Sequence, residues 1–374
     1  MKSGTLRAIA TSLVLLAACA AEETPRRSDA AVVLEAANAN APMLGPAAAK
    51  GAIIYNHGLD YEEDSSGEPP FFLDAARAHG WDVFTLLRPL VDDRADHSDA
   101  ILAGKAVQLR EQGYRRIVSV GQSFGAWISI EVAARPGTFD AIIGMSPAEY
   151  GSFAPARDRN AEIVDIAAKM APTPTMIVLF KGDDFDPGGR GPAFARVLAA
   201  KGIPYAVIDR PPGFEGHTAG MGESFAAYYG SCILAFIDTP QPPGAFACAP
   251  HQPSLAEVAA RLPKAKTFVS KTISIDSPYI GHWYGWYIGG GRETLLTIEK
   301  VSTIDRAEGS YTFGPAAHDE TGGSYLVDGP IDAEGLHLKT PHSTLVYKLQ
   351  ADGTLAGHWS AMGGSGDVIL HRLD

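Results

Sequence analysis

The sequence predicts an α/β domain built on a mostly parallel, doubly wound sheet, followed by a small antiparallel β-barrel domain. Three observations predict it. Short β-type runs alternate with helical patterns from residue 51 to about 240, and Gly121-Gln122-Ser123-Phe124-Gly125 sits between an apolar strand and a helix-like stretch. After Gln241-Pro242-Pro243-Gly244 the texture changes to short, turn-punctuated runs rich in Gly, Thr and Tyr.

The chain opens with Lys2 and Arg7, an apolar stretch from Ile9 to Leu16, and Leu16-Ala17-Ala18-Cys19. That order reads as a bacterial lipoprotein signal over residues 1–18. The small residues let a signal peptidase approach, and the Cys19 thiol accepts the lipid as the mature first residue. An ordinary secretory signal cleaved nearby is the alternative; the apolar core is too short for a retained membrane helix. Either way the expected location is outside the cytoplasm, with a lipid anchor holding the protein to a membrane and facing the periplasm or cell exterior. Residues 19–50, rich in alanine and small polar residues, read as a tether, part of which, such as Ala31 to Glu35, could dock on the first domain.

The full chain carries 31 basic and 43 acidic residues, a formal charge of −12 that becomes −14 when Lys2 and Arg7 leave with the signal. An acidic protein does not seek nucleic acid as a partner. Besides Cys19 there are two cysteines, Cys232 and Cys248, for which an oxidising compartment favours a disulfide; two separate thiols are the alternative. They lack the close pairing of a metal site, and no metal is expected.

In the first domain, taken as 51–245, the β-type runs are Ala52 to Tyr55, Asp82 to Leu87, Ile117 to Val120, Ala141 to Met145, Thr175 to Phe180 and Tyr205 to Ile208. Helical patterns at Phe71 to His79, His97 to Gln112, Ala126 to Ala134, Ala193 to Lys201 and Glu223 to Ile237 separate or follow them. Strands alternating with helices give a parallel sheet covered on both faces.

The second domain, 246–374, begins with one short helix, Leu255 to Leu262, and continues as about eight strands. These are Tyr284 to Ile288, Thr294 to Lys300, Ser310 to Phe313, Gly323 to Val327, Leu336 to Thr340, Ser343 to Gln350, Thr354 to Ser360 and Gly366 to Arg372, with Asp352-Gly353 as a hairpin turn. Closure into a barrel removes the open edges of so many short strands. Aromatic clusters at Gly281-His282-Trp283-Tyr284-Gly285-Trp286-Tyr287 and around Trp359 either plug the barrel or form a platform for sugar or acyl groups.

Chemistry concentrates at Ser123. Glycines on both sides of the bend are needed where side chains would strike neighbouring strand and helix, and the bend lifts Oγ clear of the sheet. A serine nucleophile needs a base, an acid that orients the base, and donors for the developing oxyanion. Further along come Gly182-Asp183-Asp184-Phe185-Asp186-Pro187 after one strand, then Gly213-Phe214-Glu215-Gly216-His217 after the next.

With these motifs in the order Ser, acid, His, residues 51–245 resemble the α/β-hydrolase superfamily, of the dienelactone-hydrolase-like or esterase kind. The resemblance implies Ser123 as nucleophile and His217 as general base. It implies an aspartate three places after the glycine; here that place holds Phe185, so Asp184, Asp186 and Asp183 remain alternatives in that order. Asn56-His57-Gly58-Leu59 stands where such enzymes carry an oxyanion loop, which implies the N–H groups of Leu59 and Phe124 as the hole. The Gly-x-Trp start of the second domain is similar to lipocalin-like barrels, and implies shape alone.

The reading is an exported serine hydrolase that cleaves carboxylic esters, small or polymer-borne, through an acyl-enzyme and without a cofactor. A serine peptidase or amidase of the same fold and a non-catalytic surface-binding lipoprotein are the alternatives. Loops at Asp60 to Pro70, Arg88 to Asp96 and Gly151 to Asn160 would set specificity, with Glu62, Glu63 and Asp64 making the rim acidic.

Overall fold

The computed structural model describes residues 33–38, 42–59, 68–88, 93–238, 240–267, 274–287, 292–314 and 321–373. The expected signal peptide, the lipidation site Cys19 and the acidic residues Glu62, Glu63 and Asp64 lie outside the described residues.

The first sheet contains β1 (Val33–Ala36), β2 (Gly51–Asn56), β3 (Trp81–Leu87), β4 (Ile117–Gln122), β5 (Ala141–Met145), β6 (Thr175–Leu179), β7 (Pro204–Asp209) and β8 (Gly244–Ala245). Their order is β1-β3-β2-β4-β5-β6-β7-β8, antiparallel between β1 and β3 and parallel at every other junction. β2, β4, β5 and β6 are buried along their whole length, which is why they read as continuous apolar runs rather than alternating ones. Helices α1 (Phe72–Ala78), α2 (Ala95–Glu111), α3 (Phe124–Val132), α4 (Ala156–Arg159), α5 (Glu162–Lys169), α6 (Arg190–Ala200) and α7 (Glu223–Asp238) complete this part. Alternate side chains of one strand enter two different cores: Ile53 and Tyr55 join one, Ala52 and Ile54 the other.

Part of the segment read as a tether docks on the first domain, as the reading of Ala31 to Glu35 allowed, and the contact extends further along the segment. Val33–Ala36 pairs with Phe84–Leu87, and the N–H groups of Leu44 and Gly45 both donate to the buried carboxylate of Asp82, at 2.7 and 2.8 Å. The anchor is backbone pairing plus a carboxylate supplied from elsewhere in the chain. The segment expected to be a loop, 151–160, likewise contains α4 and leads into α5, whose Ile163 and Ala167 are buried.

The second sheet contains β9 (Gly281–Tyr287), β10 (Glu293–Val301), β11 (Arg306–Phe313), β12 (Gly323–Pro330), β13 (Leu336–Lys339), β14 (Thr344–Leu349), β15 (Leu355–Ala361) and β16 (Gly364–Arg372), all antiparallel, in the order β12-β11-β10-β9-β16-β15-β14-β13. Its two end strands approach each other: a Cβ on Gly329 would lie 1.6 Å from the carbonyl oxygen of His337, and Ile331 bridges Leu336. The sheet is thereby a nearly closed barrel. An α/β sheet followed by such a barrel is the fold class the sequence predicts.

The described residues form one compact unit. Between the two sheets lies α8 (Leu255–Arg261), whose start is fixed by a reciprocal Ser254–Glu257 capping box. The core of the first part continues into the barrel wall through Val258, Leu262, Tyr284 and Leu295. Tyr228 of α7 stacks on Tyr284, with ring centroids 6.3 Å apart. Cys232 of α7 and Cys248 are joined by a disulfide, which ties the last helix of the first part to the segment leading into the second.

Candidate active site

Ser123 stands between β4 and α3 with φ 55° and ψ −120°, a conformation that L-residues rarely adopt. The bend fits because its flanks are bare. A Cβ on Gly121 would meet the Gly125 carbonyl oxygen at 2.3 Å, and one on Gly125 would meet that of Asn56 at 2.0 Å. The serine N–H donates to Met145 O at 2.9 Å, which ties the bend to the end of the neighbouring strand β5. Underneath, buried Asn56 donates to Ser119 and Ser129, whose hydroxyls lie 2.8 Å apart, and Ser129 donates to Gly125 O. This network clamps β2, β4 and α3 together below the bend.

His217 and the acidic loop are held side by side by their own strand ends. Lys181 bridges Glu215 in parallel fashion, with Gly216 N–H donating to Lys181 O at 2.8 Å. His217 Nε2 lies 2.7 Å from Ser123 Oγ, and Nδ1 lies 2.8 Å from Asp183 Oδ1. The Asp183 side chain is fully buried, and its Oδ1 also accepts the Phe185 N–H at 2.9 Å. Burial alone would raise its pKa; the His217 hydrogen bond and charge, the Phe185 N–H and Arg190 outweigh that and hold the carboxyl below its ordinary range.

Of the three carboxylates, the structure therefore brings Asp183 to the histidine, which corrects the preference for Asp184 or Asp186. Asp184 is exposed. Asp186 is engaged elsewhere: its Oδ1 accepts Arg190 Nε at 2.7 Å, and Arg210 lies 3.6 Å from its Oδ2. Arg190 also donates to Pro147 O, and the buried Asn160 amide spans the Tyr150 and Phe185 carbonyls. Asp186 is thus part of the scaffold beneath the loop, and the turn closed by Phe185 N–H on Asp183 points the earlier aspartate inward. Phe185 itself lies against the imidazole, ring centroids 4.3 Å apart.

The His57-Gly58-Leu59 turn abuts the serine: a Cβ on Gly58 would lie 3.2 Å from Ser123 Cβ. Leu59 is 37 % exposed and Phe124, the first residue of α3, is buried. Sequence reasoning missed Arg88 at the end of β3. Its side chain is fully buried, and it donates to His57 O at 2.8 Å and to Gly58 O at 3.1 Å while its Nε is held by Asp93. Burial pulls the guanidinium pKa down, and Asp93 works against that pull. An arginine at a strand end with an aspartate five residues on was the available signal.

The strand order, the bend and the placement of the three side chains at the carboxyl ends of β4, β6 and β7 follow the α/β-hydrolase plan. No protein-family model and no curated protein matches the chain. Among solved structures, one of the metagenome-derived lipolytic enzymes LipS and LipT is similar over 51% of this chain and 94% of that one, at 14% identity and a TM-score of 0.41. A monoacylglycerol lipase of Paleococcus ferrophilus is similar over 50% and 94%, at 13% identity and a TM-score of 0.39. An acetyl ester-xyloside bifunctional hydrolase from Caldicellulosiruptor lactoaceticus is similar over 50% and 88%, at 15% identity and a TM-score of 0.37. Each likeness spans about half of this chain.

Proposed function

We propose that the protein is a serine hydrolase of carboxylic esters that works through Ser123, His217 and Asp183. The observation that carries this reading is the continuous path from Asp183 Oδ1 through both imidazole nitrogens to Ser123 Oγ, with both links under 3 Å, at a serine held in a strained bend. A capping serine needs neither a buried carboxylate behind a histidine nor a left-handed backbone.

With the imidazole proton on Nδ1 and donated to Asp183, Nε2 is free to take the Ser123 proton as Oγ attacks the acyl carbon. The resulting oxyanion would meet the N–H groups of Leu59 and Phe124. A helix's first residue has no intrahelical acceptor for its N–H, which leaves that of Phe124 available. In a trans peptide the N–H points opposite to the preceding C=O. Because Arg88 draws the Gly58 carbonyl toward itself, it turns the Leu59 N–H the other way. Collapse expels the alkoxide, which receives the proton from His217 Nε2. Water then gives a proton to His217 and attacks the acyl-enzyme, releasing the carboxylic acid and returning the proton to Oγ.

A fluorophosphonate probe tests the nucleophile: wild type should label at Ser123, and Ser123→Ala should not. 4-Nitrophenyl esters against peptide anilides then separate esterase from amidase; faster anilide cleavage would replace the ester reading. We propose further that residues 1–18 are a cleaved signal and that lipid on Cys19 anchors the protein outside the cytoplasm, a reading supported by the charge, apolar core and small residues of that segment.

A further inference from the structure

The loop that carries His217 is held from two sides. On the sheet side Lys181 binds Glu215 and Gly216 through the backbone. On the other side the loop meets the second domain. Gly213, at φ 82°, lies against β16: a Cβ placed on it would sit 4.0 Å from Ile369 Cβ. Phe214, three residues before the histidine, is buried edge-on against Phe225, Tyr228 and Tyr229 of α7, with ring centroids 5.5 to 5.8 Å away. Tyr228 in turn stacks on Tyr284 of β9 and lies 5.8 Å from the ring of His371 of β16. Ring contacts thus run without a break from the barrel wall to within three residues of His217.

Pleating explains which barrel residues face this way. In the aromatic run of β9, Trp283 and Tyr287 join the barrel core, against which Trp359 of the second cluster also packs, whereas Tyr284 joins the core shared with the α/β part and Trp286 packs beside it. His371 and Ile369 stand directly opposite Tyr284 and Trp286 in the register and share their outer face. This face is stiff. The fully buried Tyr284 donates its hydroxyl to Glu293 Oε1 at 2.8 Å and accepts Trp286 Nε1 at 2.9 Å, while Arg261 of α8 donates to the same Glu293 oxygen at 2.6 Å. The loop has less of its own to fix it: Arg210, Gly213 and Gly216 all take positive φ, and glycine tolerates either sign. Where the loop's end points is therefore decided by what it rests on.

We propose that the outer wall of the barrel, through Tyr284 and Ile369, is a positioning element for His217, holding its loop so that Nε2 stays within reach of Ser123 Oγ. This rests on the hydrolase reading, and it gives the second domain a part in the reaction without any contact to substrate. Misplacing a catalytic group by about 1 Å costs up to about 10²-fold in rate, so a loosened wall acts on kcat rather than on KM.

Steady-state kinetics of the full chain on a 4-nitrophenyl ester tests it, with circular dichroism and melting temperature establishing that each variant is folded. Tyr284→Leu removes the ring on which Tyr228 rests and should lower kcat about 10- to 100-fold at nearly constant KM. Ile369→Ala opens a gap beneath Gly213 and should show the same split at about three- to tenfold, which serves where Tyr284→Leu does not fold. Tyr284→Phe keeps the ring and should stay within about threefold of wild type. Leu338→Ala makes a hole inside the barrel instead; it should lower the melting temperature and leave kcat within about twofold. A second readout needs no turnover: the low-field proton resonance of His217 Nδ1–H, identified by its loss in Asp183→Asn, should shift or broaden in Tyr284→Leu and stay in place in Leu338→Ala. Wild-type kcat in folded Tyr284→Leu and Ile369→Ala, an equal loss in Leu338→Ala, or an effect confined to KM would overturn the proposal. A wild type that neither turns over esters nor labels with fluorophosphonate would remove the hydrolase reading itself, and this proposal with it.

Discussion

Asp183 Oδ1 receives two donors at once, His217 Nδ1 at 2.8 Å and the Phe185 N–H at 2.9 Å, and the second bond holds the carboxylate in place for the first. A carboxylate so held sets which imidazole nitrogen carries the proton. Asp183→Asn keeps the shape but offers an amide in place of one acceptor, which favours the wrong tautomer. If the proposed triad operates, kcat should fall by about 10³–10⁴-fold with little change in KM, as in serine triads generally. Asp184→Asn, on the exposed neighbour, should stay within about twofold. Steady-state kinetics on a 4-nitrophenyl ester distinguishes the two, and equal losses would contradict the assignment.

The same carboxylate gives a pH signature. Its folded pKa is depressed, so the unfolded chain takes up the proton first as acid is added. The stabilisation it provides is complete above the unfolded aspartate value of about 3.9 and is lost as pH falls through the lower folded value. Denaturant melts of wild type and Asp183→Asn should differ by a constant amount at neutral pH, and the gap should close below about pH 4. A gap that widened in acid would show that the shift has the opposite sign.

Asp186 and Arg190 form a pair whose side chains are 4% and 1% exposed. Removing one partner strands the other charge in the interior, at a cost of about 3–5 kcal/mol. Asp186→Asn should therefore lower the melting temperature by several degrees. Activity per folded molecule should fall far less than in Asp183→Asn, since Asp186 does not touch the imidazole. Thermal melts combined with titration of fluorophosphonate-reactive sites separate stability from chemistry.

These aspartates mark where the sequence stops being legible. Ser123 and His217 follow from local rules: glycines flank a bend after an apolar run, and a histidine closes the loop after the third strand on. Asp183 does not, because three carboxylates fall within four positions and the choice among them is made by distant groups. Arg190 captures Asp186, Asn160 pins the Phe185 carbonyl, and the loop turns inward two residues earlier than the family pattern implies. Arg88 was hidden for the same reason, since its meaning lies in two carbonyls about thirty residues upstream. The β1 pairing and the Asp82 anchor of Leu44 and Gly45 likewise depend on partners that composition does not reveal.

In the proposed mechanism Arg88 acts through the backbone it holds. Lysine keeps the charge but loses the planar fork that reaches Asp93 and two carbonyls together. Arg88→Lys should free the His57–Leu59 turn to rotate and cost up to the value of one oxyanion donor, about 2.7–4 kcal/mol. Because that donor works in the transition state, the loss should appear in kcat with KM nearly constant. A rise in KM at unchanged kcat would place Arg88 in substrate binding instead.

Ser123 itself carries strain that the proposed chemistry uses. At φ 55° and ψ −120° a side chain is disfavoured and glycine is at ease, and such strain is of the order of 1–3 kcal/mol. Both Ser123→Ala and Ser123→Gly remove the hydroxyl and its bond to His217, so their difference isolates the backbone. Alanine keeps the Cβ and the strain; glycine releases it, against about 0.5–1 kcal/mol of extra chain entropy. Ser123→Gly should therefore melt at or above the temperature of Ser123→Ala, with both proteins inactive. A glycine variant clearly less stable than the alanine one would mean that the bend is held without strain, and that the serine's exposure comes from packing alone.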